Sequence, residues 1–233
     1  MPAIRFDDFD ALTFDCYGTL VDWERGILGG LRPVLDAHGV AAGDEELLES
    51  YARHEAELER GPYLRYRDVV AGALRGILAD HGSAPTDAEA AAFGNSVGDW
   101  PPFPDSADAL ARLSERFRLG VITNCDGDLF ARTREKLKVD FDWIVTAEQA
   151  RGYKPSLHNF ELAFETIDVP RERILHVAQS LFHDHVPAKH LGMTTVWIDR
   201  RGDAEGSGAT PPASAAPDMT FPDMRSFADA ALD

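Results

Sequence analysis

The sequence predicts an α/β fold: a central parallel sheet covered by helices, interrupted after its first strand by a helical insertion. Three observations predict it. Short apolar runs of β type recur at residues 11–14, 119–123, 143–145, 174–177 and 195–198. From the second run onward they alternate with helical patterns at 107–117, 129–137, 156–167 and 186–191, the rhythm of βαβ units. Between them, from about residue 22 to residue 96, the strand signal almost vanishes.

Each strand reads as a nearly continuous apolar run, as expected where helices bury both faces of a parallel sheet. In the insertion, Leu28, Leu31 and Leu35 share one helical face, and Leu47, Leu48 and Tyr51 begin a second. Val69, Val70, Ala73, Leu74 and Ile77 make a third. Thr86-Asp87-Ala88-Glu89 is a capping-box pattern that opens a fourth. The predicted organisation is an α/β core from residues 1–21 and 97–233, with a helical cap subdomain at 22–96. The chain re-enters the core at Trp100-Pro101-Pro102-Phe103-Pro104, a proline cluster suited to a linker. Residues 202–217 are rich in Gly, Ala, Ser and Pro and read as an exposed loop.

Composition bounds the function. With 233 residues and 44% hydrophobic content the chain can bury a sizeable core. Its formal net charge is -17, from 40 acidic and 23 basic residues. Such a surface repels phosphate backbones and anionic membranes, so no nucleic-acid or membrane partner is expected. A small anionic substrate would need a local Arg or Lys. Cys16 and Cys125 are too few for a disulfide framework or a zinc ribbon. The start of the chain has no apolar signal core, and no stretch approaches a membrane span, so a reduced, cytoplasmic setting is the default expectation.

In a doubly wound sheet, ligands bind beyond the carboxyl ends of the strands. The first strand ends in Asp15, with Tyr17, Gly18 and Thr19 in the following turn. The second ends in Thr123-Asn124. After the third comes Tyr153-Lys154-Pro155, and after the fourth Gln179-Ser180, then Phe182, His183 and Asp184. This set is chemically coherent. A nucleophilic carboxylate must be ionised, which a nearby ammonium such as that of Lys154 favours. Thr19 and Thr123 can hydrogen-bond its oxygens, and Asp184 can orient or deprotonate a water. Singly, each has a structural reading. Asp15 or Thr123-Asn124 can cap a turn or helix, Lys154 can be a solvated surface residue, and His183 and His185 ordinary polar residues. Cys16 and Cys125 can be packed thiols. It is the joint placement at successive strand ends that points to a site.

The order of these motifs resembles the haloacid dehalogenase (HAD) superfamily over essentially the whole chain: Asp-x-x-Gly-Thr-Leu, a helical cap, Thr-Asn, Tyr-Lys-Pro, and an acid-bearing loop. The resemblance implies a Rossmann-like core and covalent catalysis by Asp15. Phosphatases of the superfamily usually carry a second Asp where Tyr17 stands, to protonate the leaving group. A halide needs no proton, and Asp-x-Tyr-Gly-Thr is similar to the pattern of the (S)-2-haloacid dehalogenases. "YKP" and "VWIDRRG" fit as well. The resemblance implies a short 2-haloalkanoic acid as substrate, Asp15 as nucleophile, and Lys154, Asp184 and Thr19 as its catalytic partners. Tyr17, Thr123, Asn124, Gln179, Ser180 and Phe182 are candidate substrate contacts, with Tyr17, Trp23 and Phe182 as a water-excluding wall. Arg53 is the candidate halide ligand from the cap, with Arg65 and Arg67 as rivals.

No metal or cofactor is implied, because Gln179 replaces the first acid of the magnesium-binding motif and the acids left are few for a hard dication. A homodimer is implied by resemblance alone. The chain departs from the dehalogenase pattern at Thr123, at Phe160, and in the longer run from Ala178 to Asp184. Alternatives are a magnesium-dependent phosphatase, a hydrolase of fluoroacetate or a strained-ring acid, and a non-catalytic binding protein on the same fold.

Overall fold

In the computed structural model, which describes residues 4–204 and 206–233, the six strands form one parallel sheet. The strands are β1 (Ala11–Phe14), β2 (Arg118–Thr123), β3 (Trp143–Thr146), β4 (Ile174–Ala178), β5 (Thr194–Ile198) and β6 (Met219–Phe221), in the order β3-β2-β1-β4-β5-β6. The chain winds from β1 out to β3, then crosses back to β4 on the other side of β1. The switch point therefore lies between β1 and β4, where the crevice for a ligand opens. Phe14 is in register with both Val121 and Val177. That alignment brings the chain leaving β1, β2 and β4 to a common rim.

The insertion is helical, as the sequence predicts. It comprises α1 (Trp23–Ala37), α2 (Asp44–Glu59), α3 (Tyr66–Asp80) and α4 (Asp87–Asn95). Asp22 caps α1 by accepting from the Arg25 amide at 3.2 Å. The expected capping box opens α4: Thr86 Oγ1 accepts from the Glu89 amide at 3.2 Å, and the Thr86 amide donates to Glu89 Oε2 at 2.7 Å. The helices do not form a detached bundle. One hydrophobic cluster runs from Phe14 and Val177 in the sheet through Tyr17, Trp23 and Trp100 to Leu31, Tyr51 and Leu74 in the insertion. Gly26 of α1 makes that join possible, because a Cβ there would lie 2.2 Å from the Trp100 ring.

The remaining helices cover the sheet: α5 (Ser106–Leu113), α6 (Gly127–Leu137), α7 (Ala147–Ala150), α8 (Leu157–Thr166), α9 (Val186–His190) and α10 (Met224–Leu232). The one-turn α7 was not expected; a Thr146–Gln149 capping box forms it. Two corrections concern the end of the chain. A sixth strand and α10 follow the Gly- and Pro-rich segment. That segment is also not simply an exposed loop, since Gly208, Ala209 and Thr210 are buried. The Gly208 amide donates to Glu45 at 2.9 Å and the Ala209 amide to Glu24 at 3.2 Å, so the segment is strapped to the insertion. Among the described residues no helix is long and apolar enough to cross a membrane.

Candidate active site

Asp15 lies just past β1, 6% exposed, with each carboxylate oxygen engaged. Thr19 Oγ1 donates to Oδ2 at 2.7 Å, and Lys154 Nζ donates to Oδ1 at 2.9 Å. Thr19 is itself held by the Gln179 amide, which donates to its hydroxyl at 2.8 Å. Gly18 allows this tight turn, with φ at +95°.

Lys154 precedes α8 and is 1% exposed. Its three protons go to Asp15, to the Ile122 carbonyl at 2.8 Å and to Asp184 Oδ1 at 2.7 Å. Asn124 fixes its backbone: the Lys154 amide donates to Asn124 Oδ1 at 2.7 Å, and Asn124 Nδ2 donates to the Lys154 carbonyl at 3.0 Å. The Lys154–Pro155 bond is cis.

Asp184 belongs to a π-helical turn, Leu181–His185, that Ser180 caps through the His183 amide at 2.9 Å. His176 of β4 donates from Nε2 to Asp184 Oδ1 at 3.0 Å, and Thr13 donates to His176 Nδ1 at 3.0 Å. Asp184 Oδ2 is buried and has no hydrogen-bond partner among the described residues.

The electrostatics follow from this arrangement. Burial disfavours the charge on Lys154, but Asp15 and Asp184 more than offset it and raise its pKa. Burial also opposes ionisation of Asp184, yet Lys154 and His176 outweigh it and hold that carboxyl below the usual range. For Asp15, burial dominates; the neighbouring Asp184 adds to it and Lys154 opposes it, so the pKa is raised. The pair is thus split: the Asp184 carboxyl is held on the ionised side, and Asp15 sits closer to its protonation point.

A cavity of about 30 Å³ opens over Asp15, Lys154 and Asp184, roofed by the insertion. It is lined as well by Tyr17, Trp23, Asn124, Ser180 and His183, and by Glu55, Glu59 and Tyr66 from the insertion. Burial lowers the pKa of His183 to about 4, so the ring is neutral at pH 7. Ser180 Oγ lies 3.1 Å from its Nδ1.

Of the residues expected here, Asp15, Thr19, Lys154, Asp184, Tyr17, Asn124 and Ser180 meet at the cavity or directly beneath it. Tyr17 presents its ring, while its hydroxyl pairs with Thr133 Oγ1 at 2.9 Å and accepts from Cys125 Sγ at 3.3 Å. The structure does not bring four others to the cavity. Arg53 is on the outer side of α2, its side chain 60% exposed and paired with Asp80 at 2.6 Å. It lies two residues from Glu55, about 200° around the helix. Its rivals Arg65 and Arg67 bind Asp126 and Asp128 instead. Thr123 Oγ1 is buried without a hydrogen-bond partner among the described residues. Gln179 lies beneath the Gly18 turn, its side-chain carbonyl 3.2 Å from where a Gly18 Cβ would be. Phe182 stacks edge-on against His183, at 4.9 Å between ring centroids, and does not line the cavity.

Sequence reasoning missed Glu55, Glu59, Tyr66 and His176. For Glu55 a signal existed: it follows Tyr51 by one helical turn on the apolar face, a place where an acid is out of pattern.

The described residues include no group of three or more His, Cys, Asp or Glu arranged to hold a metal ion.

A family model for haloacid dehalogenase-like hydrolases matches residues 9–181. The chain belongs to that family. This haloacid dehalogenase-like hydrolase is 25% identical over 214 residues to (S)-2-haloacid dehalogenase H-109 of Pseudomonas putida, covering 87% of this chain and 91% of that one. It is 28% identical over 232 residues to haloacetate dehalogenase H-2 of Moraxella sp. (strain B), covering 92% and 94%. In fold it is similar to the L-2-haloacid dehalogenase of Xanthobacter autotrophicus with chloropropionic acid covalently bound. The TM-score is 0.78 at 19% identity, over 96% of this chain and 98% of that one.

Proposed function

We propose that this hydrolase removes halide from short 2-haloalkanoic acids, with Asp15 as nucleophile. The observation that carries the reading is the pairing of a pinned Asp15 with Tyr17 where a second acid would serve a leaving oxygen. Tyr17's hydroxyl is committed to Thr133 and Cys125, and burial with neighbouring Cys125 and Cys16 pushes its pKa far up, so it has no proton to give. A carbon–halide bond asks for none. The names of the relatives at 25% and 28% identity support the same class.

In the first step a carboxylate oxygen of Asp15 attacks the α-carbon, and the carbon–halogen electron pair leaves as halide with inversion. An aspartyl ester remains. In the second step water attacks the Asp15 carbonyl carbon. Asp184, whose Oδ2 lacks a partner among the described residues, orients the water and accepts its proton, while Lys154 stabilises the oxyanion. The tetrahedral intermediate collapses by breaking its bond to the alkoxide oxygen, which takes the proton held by Asp184; the 2-hydroxy acid leaves, the remaining proton is lost to solvent, and Asp15 is a carboxylate again.

The test is halide release, in EDTA, from chloro-, bromo- and fluoroacetate and both enantiomers of 2-chloropropionate. Release from the S enantiomer and not the R supports the reading, and fluoride release narrows the subtype. Absence of halide, with magnesium-dependent phosphate release from aryl or sugar phosphates, would sink it.

A further inference from the structure

His176 stands where a buried strand calls for an apolar residue. It is the middle residue of β4, fully buried, and its ring packs edge-on against Phe160 of α8 at 5.2 Å between centroids. Burying an imidazole is costly unless its nitrogens are engaged. Here both are. Nδ1 lies 3.0 Å from Oγ1 of Thr13, the register partner of His176 on β1, and Nε2 lies 3.0 Å from Asp184 Oδ1. Asp184 is the ion-pair partner of Lys154 and can only accept, so Nε2 donates.

Oδ1 of Asp184 therefore carries two donors, Lys154 Nζ at 2.7 Å and His176 Nε2 at 3.0 Å, while Oδ2 carries none among the described residues. With the ammonium as its only donor, the carboxylate could turn about its Cβ–Cγ bond and exchange one oxygen for the other. Two donors from different elements, one from the segment before α8 and one from β4, hold a single orientation. The main chain is fixed as well. The Asp184 and His185 amides both donate to the Ser180 carbonyl at 3.2 Å within the π-helical turn. The cavity-lining acid is thus clamped by one oxygen, and the other is left for a ligand.

We propose that His176 is a positioning residue for the second half of the reaction: by pinning Asp184 through Oδ1 it keeps Oδ2 available to the hydrolytic water. This deepens the dehalogenase reading and rests on it for the role of Asp184. His176 touches no reacting atom and acts only through the carboxylate. Thr13 in turn steadies the far end of the ring. The two half-reactions should then depend on His176 unequally. Attack by Asp15 on the α-carbon makes no use of Asp184 Oδ2. Hydrolysis does: the water oxygen bonds to the Asp15 carbonyl carbon as its proton passes to Oδ2, and the alkoxide oxygen takes that proton when its bond to the carbon breaks.

The test separates the halves. Chloroacetate is mixed with the protein in EDTA, chloride is followed from the first turnover, and quenched samples are weighed as intact protein. His176→Phe keeps an aromatic ring against Phe160 and deletes the donor. It should release one chloride per site in a burst, carry the aspartyl ester as its main species, and lose ester about 10- to 100-fold more slowly than wild type. Slow hydrolysis of a covalent intermediate lowers kcat and KM together, so kcat/KM should stay within about threefold of wild type. His176→Gln, whose amide places a donor near the position of Nε2, should restore most of the ester decay. Thr13→Val should slow that decay by about two- to fivefold, the worth of one hydrogen bond.

A residue that only satisfied the buried strand would move these quantities otherwise. A fall of kcat/KM as large as that of kcat, with no ester retained, would overturn the proposal, as would wild-type ester decay in His176→Phe. Should His176→Phe not fold, Thr13→Val decides: an excess of ester over wild type supports the proposal, and none overturns it. Chloride release by the wild type with no ester excess in any variant rejects the role of His176 alone. No halide from any haloacid rejects the dehalogenase reading, and this proposal with it.

Discussion

Asn124 holds Lys154 by its main chain from both directions, accepting from its amide at 2.7 Å and donating to its carbonyl at 3.0 Å. This side chain, expected as a substrate contact, thus has a prior task, which is to aim the ammonium at Asp15. Asn124→Ala should keep the fold and lower kcat by about 10- to 100-fold with a smaller change in KM, since small displacements at a reacting centre cost that much. Steady-state halide release measures it; a change confined to KM would show that Asn124 serves the substrate instead.

Lys154 stands between two buried acids, and removing it leaves both uncompensated. Lys154→Met should lower unfolding free energy at pH 7 by about 3–5 kcal/mol. In the variant the two carboxyl pKa values rise above those of the unfolded chain, so its stability falls as pH rises through them. The deficit relative to wild type should therefore shrink near pH 5, where the orphaned acids can protonate. Urea unfolding at the two pH values checks the sign.

His183 and His185 are both buried with pKa values lowered to about 4, chiefly by burial. The unfolded chain binds their protons near pH 6.5 while the folded chain does not, so stability declines as pH falls from about 6.5 to 4. Each contributes on the order of 2 kcal/mol to that decline by pH 5. In His183→Gln the unfolding midpoint should drop less between pH 7 and pH 5 than in wild type.

Tyr17→Phe removes a hydroxyl that bonds away from the reacting atoms. Turnover should stay within about threefold, and stability should fall by about 1 kcal/mol for the lost pairing with Thr133 and Cys125. Loss of two or more orders of magnitude in kcat would mean that this hydroxyl acts in the chemistry.

Raised Asp15 also predicts a pH profile. In the proposed mechanism Asp15 works as the anion, and its pKa lies above the ordinary carboxylate value, so the acid limb of kcat should fall above pH 4 rather than below it. Replacing Thr19 by Val, which deletes one hydrogen bond to the charged form, should move that limb further upward.

Much of this arrangement was legible in the chain because parallel strands are short apolar runs whose ends share a rim. That rule alone places Asp15, Asn124, Lys154 and Asp184 together. The roof was not legible. Which face of α2 meets the sheet depends on docking by Gly26, Trp23 and Trp100, not on the helix itself. The family resemblance implies a cap arginine, for which Arg53 is the candidate, while Glu55 and Glu59 of the same helix line the cavity. The sixth strand escaped because Met219–Phe221 is three residues long and follows a segment with the composition of a loop. His176 was hidden because a polar residue inside an apolar strand gives no hint of its partner, and Asp184 reaches it through an irregular turn.

The threefold engagement of Lys154 has a consequence for the timing of the proposed cycle. While Asp15 is a carboxylate, the ammonium divides its field between two anions. Once Asp15 becomes an ester, one of those anions is gone, and Lys154 and Asp184 are left as a neutral couple beside a polarised carbonyl. The substrate's own bond formation thus resets the local potential, withdrawing repulsion from the second step at the moment water must approach. Asp15 would serve as both reagent and clock.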